Sequence, residues 1–421
     1  MKIAVIGAGS TYTPELAEGL IQGAEELGLK ELFLHDLHAQ RLEIVGGLVE
    51  RMVQAQGSPF TVRKTLDRVE ALAGADFVLT QIRVGGQQAR ILDTKVCLAE
   101  GLIGQETTGP VGFAKAMRTI PVLLEICADV RAYAPGAFLI NFTNPAGIAT
   151  EAVVKYGGVR AIGLCNIPFG IKAAVAKECG VSPAEVELDY VGLNHLSWVR
   201  RVFVRGEDRT AELLQKAAVR PANILGLDLD PDFLEALGMW PSSYLNYYYL
   251  QDEMLEQLQA QPQVRGEVVA ELEAELLELY QDPQLSTKPK QLEQRGGAHY
   301  SSAAVSLIRD IHLNTGRRHI VNVQNQGALP ELPWDGVVEV PCVVDAQGAH
   351  PLVQGKLEAH IRGLIQQVKA YEELTVEAAV TKDYHTALLA LAAHPLTRSV
   401  HKAKRLLEKF NAAHELQLVK G

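Results

Sequence analysis

The apolar positions of the chain change rhythm along its length. Residues 2–7, Lys-Ile-Ala-Val-Ile-Gly, form a short apolar run ending in glycine, the pattern of a strand covered on both faces. Similar runs return at Glu31–Asp36, Phe60–Thr65, Asp76–Gln81, Ala137–Phe142 and Val159–Leu164. Helix-spaced apolar positions separate them, reaching Leu27 after the first strand and then covering residues 38–56, 87–100 and 113–133. Strands alternating with helices predict a parallel, doubly wound sheet. Pro168 fits the first turn of one more helix, ending near Cys179.

The second part differs. Val186–Gly192 and Ser197–Val204 are consecutive strands, which predicts antiparallel pairing. Arg318–Val323 and Val337–Val344 are two more strands. Helical patterns fill the rest at about 244–259, 265–280, 301–313, 355–374 and 375–393. The expected class is therefore α/β: an N-terminal Rossmann-like doubly wound parallel sheet over residues 1–167, then an α+β domain over 168–421. A cleft between them is the expected site.

Composition narrows the function classes. Of 421 residues, 48% are hydrophobic and 21% charged, enough for a sizeable core without metals or disulfides. A net charge of −10 argues against nucleic-acid and anionic-membrane partners. Any bound anion must then be met by local arginines and helix N-termini. The five scattered cysteines imply no disulfide framework, and a reducing cytoplasm is expected. No stretch has the length and apolarity of a membrane span or secretory signal.

Candidate chemistry gathers where strands end. Gly7-Ala-Gly9-Ser10-Thr11-Tyr-Thr-Pro14 follows the first strand and opens a helix, and Asp36 closes the second strand. That is a βαβ dinucleotide signature, imperfect because Tyr12 stands in the place of the third glycine. Cys165-Asn166-Ile-Pro168 closes another strand, and Gly192-Leu-Asn-His195 follows in the next part. A thiolate and an imidazole brought together could hold a divalent metal; they would suit zinc or iron by softness, so the metal's identity does not follow from ligand type. Each alone reads equally as a core cysteine and a satisfied histidine. Asn141-Phe-Thr-Asn144-Pro145 offers two amides to a ribose or sugar hydroxyl, or simple turn chemistry. Arg83 and Arg90 flank Gly85-Gly86, a pattern suited to a phosphate or carboxylate. Tyr244 and Tyr247 belong to a tyrosine cluster that packs or, beside cations, supplies a base. Gln294-Arg295-Gly-Gly-Ala298 is a glycine-punctuated loop that lines a pocket or simply turns.

Together these motifs, with Gln105-Glu-Thr-Thr-Gly-Pro110, Arg295-Gly-Gly-Ala298 and Val338-Glu-Val-Pro341, resemble glycoside hydrolase family 4 from residue 1 to about 345. The resemblance implies a fold like lactate and malate dehydrogenases and a glycosidase dependent on NAD and a divalent metal, usually Mn2+. It is a family outside the two-carboxylate mechanism. Cys-Asn-x-Pro at 165–168 resembles the 6-phospho-β-glucosidase branch. The implied route is transient oxidation at C3, metal-assisted removal of the C2 proton, elimination of the aglycone, water addition and re-reduction. By this resemblance NAD meets Gly7, Gly9, Ser10, Thr11, Asp36 and Asn141. Cys165 and His195 hold the metal, and Tyr244 is the base with Tyr247 as runner-up. Arg83, Arg90, Asn144, Asn166 and Arg265 meet the substrate, Arg265 supplied by the same or a neighbouring subunit. The substrate is a phosphorylated disaccharide or aryl 6-phospho-glucoside, and a homodimer or homotetramer is expected. Rival readings are another family 4 specificity, a 2-hydroxy-acid dehydrogenase and a silent NAD-binding sensor.

Overall fold

The computed structural model describes residues 1–214, 227–295 and 300–420. Its strands are β1 (Lys2–Ile6), β2 (Glu31–His35), β3 (Thr61–Thr65), β4 (Phe77–Thr80), β5 (Phe138–Asn141), β6 (Arg160–Gly163), β7 (Val186–Leu193), β8 (Leu196–Val204), β9 (Glu207–Asp208), β10 (Trp240–Pro241), β11 (Arg317–Gln324), β12 (Val337–Asp345) and β13 (Gly348–Pro351). Nine of them form one sheet, ordered β13-β12-β11-β6-β5-β4-β1-β2-β3. The pairs from β3 to β6 are parallel, so six strands reproduce the Rossmann order. The order in which strands are added reverses between β1 and β4, which opens a crevice at their carboxyl ends. Helices on both faces bury the sheet, which explains why β1, β4 and β5 are apolar almost throughout.

The Rossmann-like expectation holds, and the sheet runs across the expected division at residue 167. β11 pairs antiparallel with β6, and β12 and β13 follow antiparallel. Three strands from the second part therefore complete the first part's sheet. β7 and β8 pair antiparallel as expected, in a smaller sheet with β9 and β10.

Two helical boundaries differ from expectation. The stretch from Tyr244 is not one helix. It is a 3-10 turn over Ser243–Leu245, a short helix over Asn246–Tyr249 and a longer one over Gln251–Ala260, broken at Leu250 where ψ is 49°. The break expected between 374 and 375 lies instead at Lys382, left-handed with φ 61°, after the helix Ala359–Thr381. Asp383 then caps the helix Tyr384–Ala393 by accepting from the Thr386 amide at 2.7 Å. No helix among the described residues is long and apolar enough to cross a membrane.

Candidate active site

The turn after β1 and the turn after β4 face each other across the crevice. Gly7 sits at φ 92°, and a Cβ there would lie 2.9 Å from the Gln81 carbonyl oxygen. A Cβ on Gly9 would lie 2.8 Å from Asp36 Oδ2. Neither position tolerates a side chain, so the backbone is left bare toward the crevice. Asp36 holds this turn: Oδ2 accepts from the Gly9 amide at 2.8 Å and Oδ1 from the His38 amide at 2.9 Å. Gln81 Nε2 donates to Gly7 O and to Thr13 Oγ1, tying the two turns together. A cavity of about 880 Å3 runs from Gly7, Gly9, Ser10 and Asp36 past Asn144 to Arg83 and Lys115. The bare glycine turn at a helix N-terminus, with a carboxylate at the end of β2, fits a dinucleotide.

Two expected cofactor contacts do not point there. Asn141 is fully buried and its amide is spent within the protein. Its Oδ1 accepts from Thr80 Oγ1 and the Thr143 amide, and its Nδ2 donates to Thr143 O and Thr150 Oγ1. Asn141 is a structural strut joining β4 and β5. Thr11 is likewise fully buried, facing the protein, and its carbonyl accepts from Tyr280 OH at 2.7 Å.

Cys165 caps the helix Asn166–Cys179, with its Sγ 3.5 Å from the Ile167 amide that donates to it. Burial and the nearby Glu339 push its thiol up, while the helix amides and Asn194 oppose the shift. His195 lies in the two-residue turn between β7 and β8 with φ 63°. Its Nδ1 is 2.7 Å from Thr107 Oγ1, which leaves Nε2 for a metal. Burial lowers its pKa to about 3, so the ring is neutral at ordinary pH, as a ligand must be. Tyr244 stacks on the imidazole, ring centroids 3.7 Å apart and planes 7° from parallel. Tyr244, Tyr247 and Cys165 share one buried apolar cluster. Among the described residues no three His, Cys, Asp or Glu groups gather as a metal site. Cys165 and His195 both lie close to Tyr244, and a thiol with a neutral imidazole is a donor pair that would suit a divalent metal.

Both candidate tyrosines are held in their neutral form. Burial, with Cys165, Tyr247 and Glu106 close by, pushes Tyr244 well above its ordinary value, and Arg90 only partly offsets this. Tyr247 is pushed by burial to about 12. Asn166 opens its helix, half-buried, and does not line the cavity.

The arginines converge on a residue not singled out by the sequence. Glu106, nearly buried, pairs with Arg83, with Arg90 at 3.0 Å and with Lys115. Burial alone would raise its carboxyl, yet these three cations hold it well below the usual range. Arg265 lies in the same chain's cluster: burial, Arg83, Arg265 and Arg295 all depress Arg90. The signal for Lys115 was a lone charge in the apolar run Gly112-Phe-Ala-Lys-Ala-Met117. Thr107 was visible only as part of a motif. Arg295 lies at the cavity's edge, while Gly296, Gly297 and Ala298 lie outside the described residues.

Comparison with known proteins decides the lineage. Residues 2–181 match the model of the family 4 glycosyl hydrolases, and residues 190–397 match that family's C-terminal domain. The chain belongs to glycoside hydrolase family 4. It is 40% identical to a 6-phospho-beta-glucosidase of Escherichia coli, over 99% of this chain and 95% of that one. A solved 6-phospho-beta glucosidase from Thermotoga maritima, in a form with manganese, NAD+ and glucose-6-phosphate, superposes with a TM-score of 0.92 at 37% identity. That match covers 100% of this chain and 99% of the other. The fold, but no more, is shared with malate dehydrogenase from Plasmodium falciparum, at a TM-score of 0.56 and 13% identity over 90% of this chain and 99% of that one.

Proposed function

We propose that this family 4 enzyme hydrolyses 6-phospho-β-glucosides with NAD and a divalent metal, manganese being our choice. One observation carries this reading. A single cavity runs from a bare glycine turn with Asp36 to Arg83 and Lys115 of the cation cluster, and Glu106 at that end acts electrostatically on both His195 and Tyr244. The names of the relatives and the Cys165-Asn166-Ile167-Pro168 motif favour the β-phosphoglucoside among family substrates.

When bound, the dinucleotide exchanges a hydride with C3 and the metal acts as a Lewis acid on the C2 and C3 oxygens. Gly7, Gly9, Ser10 and Asp36 hold the dinucleotide. Cys165 and His195 hold the metal, with Thr107 fixing the imidazole. Arg83, Arg90 and Arg265 hold the 6-phosphate, and Asn144, which lines the cavity, contacts the sugar. Tyr244 takes the C2 proton, made acidic by the neighbouring ketone, once bound positive charge favours its phenolate. Loss of the aglycone, water addition and re-reduction complete a net hydrolysis. We place the enzyme in the cytoplasm, as a homodimer or homotetramer.

The test compares an aryl 6-phospho-β-glucoside, its α anomer and the unphosphorylated β-glucoside, each with and without NAD+, Mn2+ and reductant. Only the phosphorylated β-glucoside should be cleaved, and only with both cofactors. Equal kcat/KM with and without the phosphate, or full activity of cofactor-stripped enzyme, overturns the reading.

A further inference from the structure

Glu273 is a buried carboxylate between the two ends of the cavity, on the helix Arg265–Leu279. It lies about two turns beyond Arg265. Its Oε1 accepts from Gln87 Nε2 at 3.1 Å and from Arg295 Nη2 at 3.1 Å, and its Oε2 faces Arg41 Nη2 at 3.5 Å. The three partners belong to two parts of the site. Arg41 Nε donates to Gly9 O at 3.1 Å, and Arg295 Nη2 reaches Ser10 Oγ at 3.5 Å, so both hold the glycine turn. Gln87 follows Gly85-Gly86 beside the cation cluster. Burial would raise the Glu273 carboxyl, but Arg295, Arg41 and Gln87 outweigh it, so the group is ionised.

We propose that Glu273 is a positioning residue that couples binding of the dinucleotide to binding of the phosphorylated sugar. The proposal rests on the cofactor and phosphate assignments above. Arg295 is pulled by Glu273 and repelled by Arg265 and Arg90, which act on one another electrostatically. An anion at Arg83, Arg90 and Arg265 removes that repulsion. Arg295 and Arg41 then settle on one carboxylate, and the glycine turn they hold is fixed for the dinucleotide. Coupling is reciprocal, so each ligand tightens the other. A neutral amide in place of the carboxylate cannot hold two guanidinium groups, and the link is cut.

The test is a thermodynamic cycle by calorimetry, titrating NAD+ into the full-length protein with and without saturating glucose 6-phosphate. In the wild type the sugar phosphate should tighten NAD+ binding at least about fivefold. In Glu273→Gln both ligands should still bind, but the factor should fall to about one. Glu275→Gln, an exposed neighbour on the same helix, should keep the wild-type factor. A general loosening of the fold would weaken both ligands without abolishing their ratio, so the ratio separates coupling from stability. A wild-type factor of one, or an unchanged factor in Glu273→Gln, overturns the coupling while leaving the cofactor and phosphate assignments intact. Failure of either ligand to bind the wild type overturns the assignments and the coupling together.

Discussion

At the scale of single residues, burial and neighbouring charges set the protonation of the groups in the site. Burial holds the Tyr244 phenol well above its ordinary value, so on the proposed route positive charge beside it favours its phenolate. Tyr244→Phe should therefore lose roughly 10²–10⁴-fold in turnover, the usual size of a general-base contribution, while NAD+ and metal still bind. Unchanged turnover in a steady-state assay would move the role to Tyr247 or elsewhere. Lys115 gives a pH dependence. Burial, with Arg83 and Arg90 nearby, pulls its ammonium down to about 7 despite Glu106. It is charged below that value and loses its charge as pH rises through it. The cluster then loses one cation, so glucose 6-phosphate binding should weaken above about 7, and Lys115→Met should remove that step. A wild-type affinity equal on both sides of this value would contradict the assignment. Removing Arg90 should cost on the order of 1.5–3 kcal/mol of kcat/KM, as expected for a charge-assisted hydrogen bond. An unchanged kcat/KM for the aryl 6-phospho-β-glucoside would contradict the phosphate assignment.

At the scale of elements, the site is placed by how strands end. The helix Asn166–Cys179 begins where β6 stops, which puts Cys165 at its cap. The β7–β8 hairpin turns in two residues, which presents His195 to Tyr244. Gly192 makes that hairpin possible: its φ is 143°, and a Cβ there would collide with the Leu196 carbonyl oxygen. Gly192→Ala should cost about 2–3 kcal/mol in denaturant unfolding and also weaken metal binding, through the displaced imidazole. A variant with wild-type stability and metal affinity would mean that the hairpin does not set the ligand. Strand ends were legible in the sequence because apolar runs stop abruptly at Gly7, Asn141 and Cys165. The interruption at Leu250 was not, because the tyrosines and leucines around it keep a helical rhythm through the break.

At the scale of the whole molecule, distant segments of the chain close around the crevice. The C-terminal helices reach the loop that holds His195: Tyr371 OH donates to Gly109 O at 2.9 Å, two residues from Thr107. The addition of β11 to the edge of β6 was hidden from sequence reading, since periodicity reports a strand but not its partner. Likewise Cys165, His195 and Tyr244 were readable as motifs. The charges around them were not, because Glu106, which acts on His195 and Tyr244, and Glu273, which holds Arg41 and Arg295, acquire meaning only when the fold brings arginines to them. Asn141 shows the reverse, an amide at the right strand end whose donors and acceptors the core consumes. On the proposed route the sugar is opened by removal of its C2 proton rather than by attack of a carboxylate. The direct measurement is cleavage of an aryl 6-phospho-β-glucoside in D2O with NAD+ and Mn2+, with the isotope at C2 of the glucose 6-phosphate product read by NMR. The account predicts solvent deuterium at C2; product that keeps its original hydrogen there would contradict it.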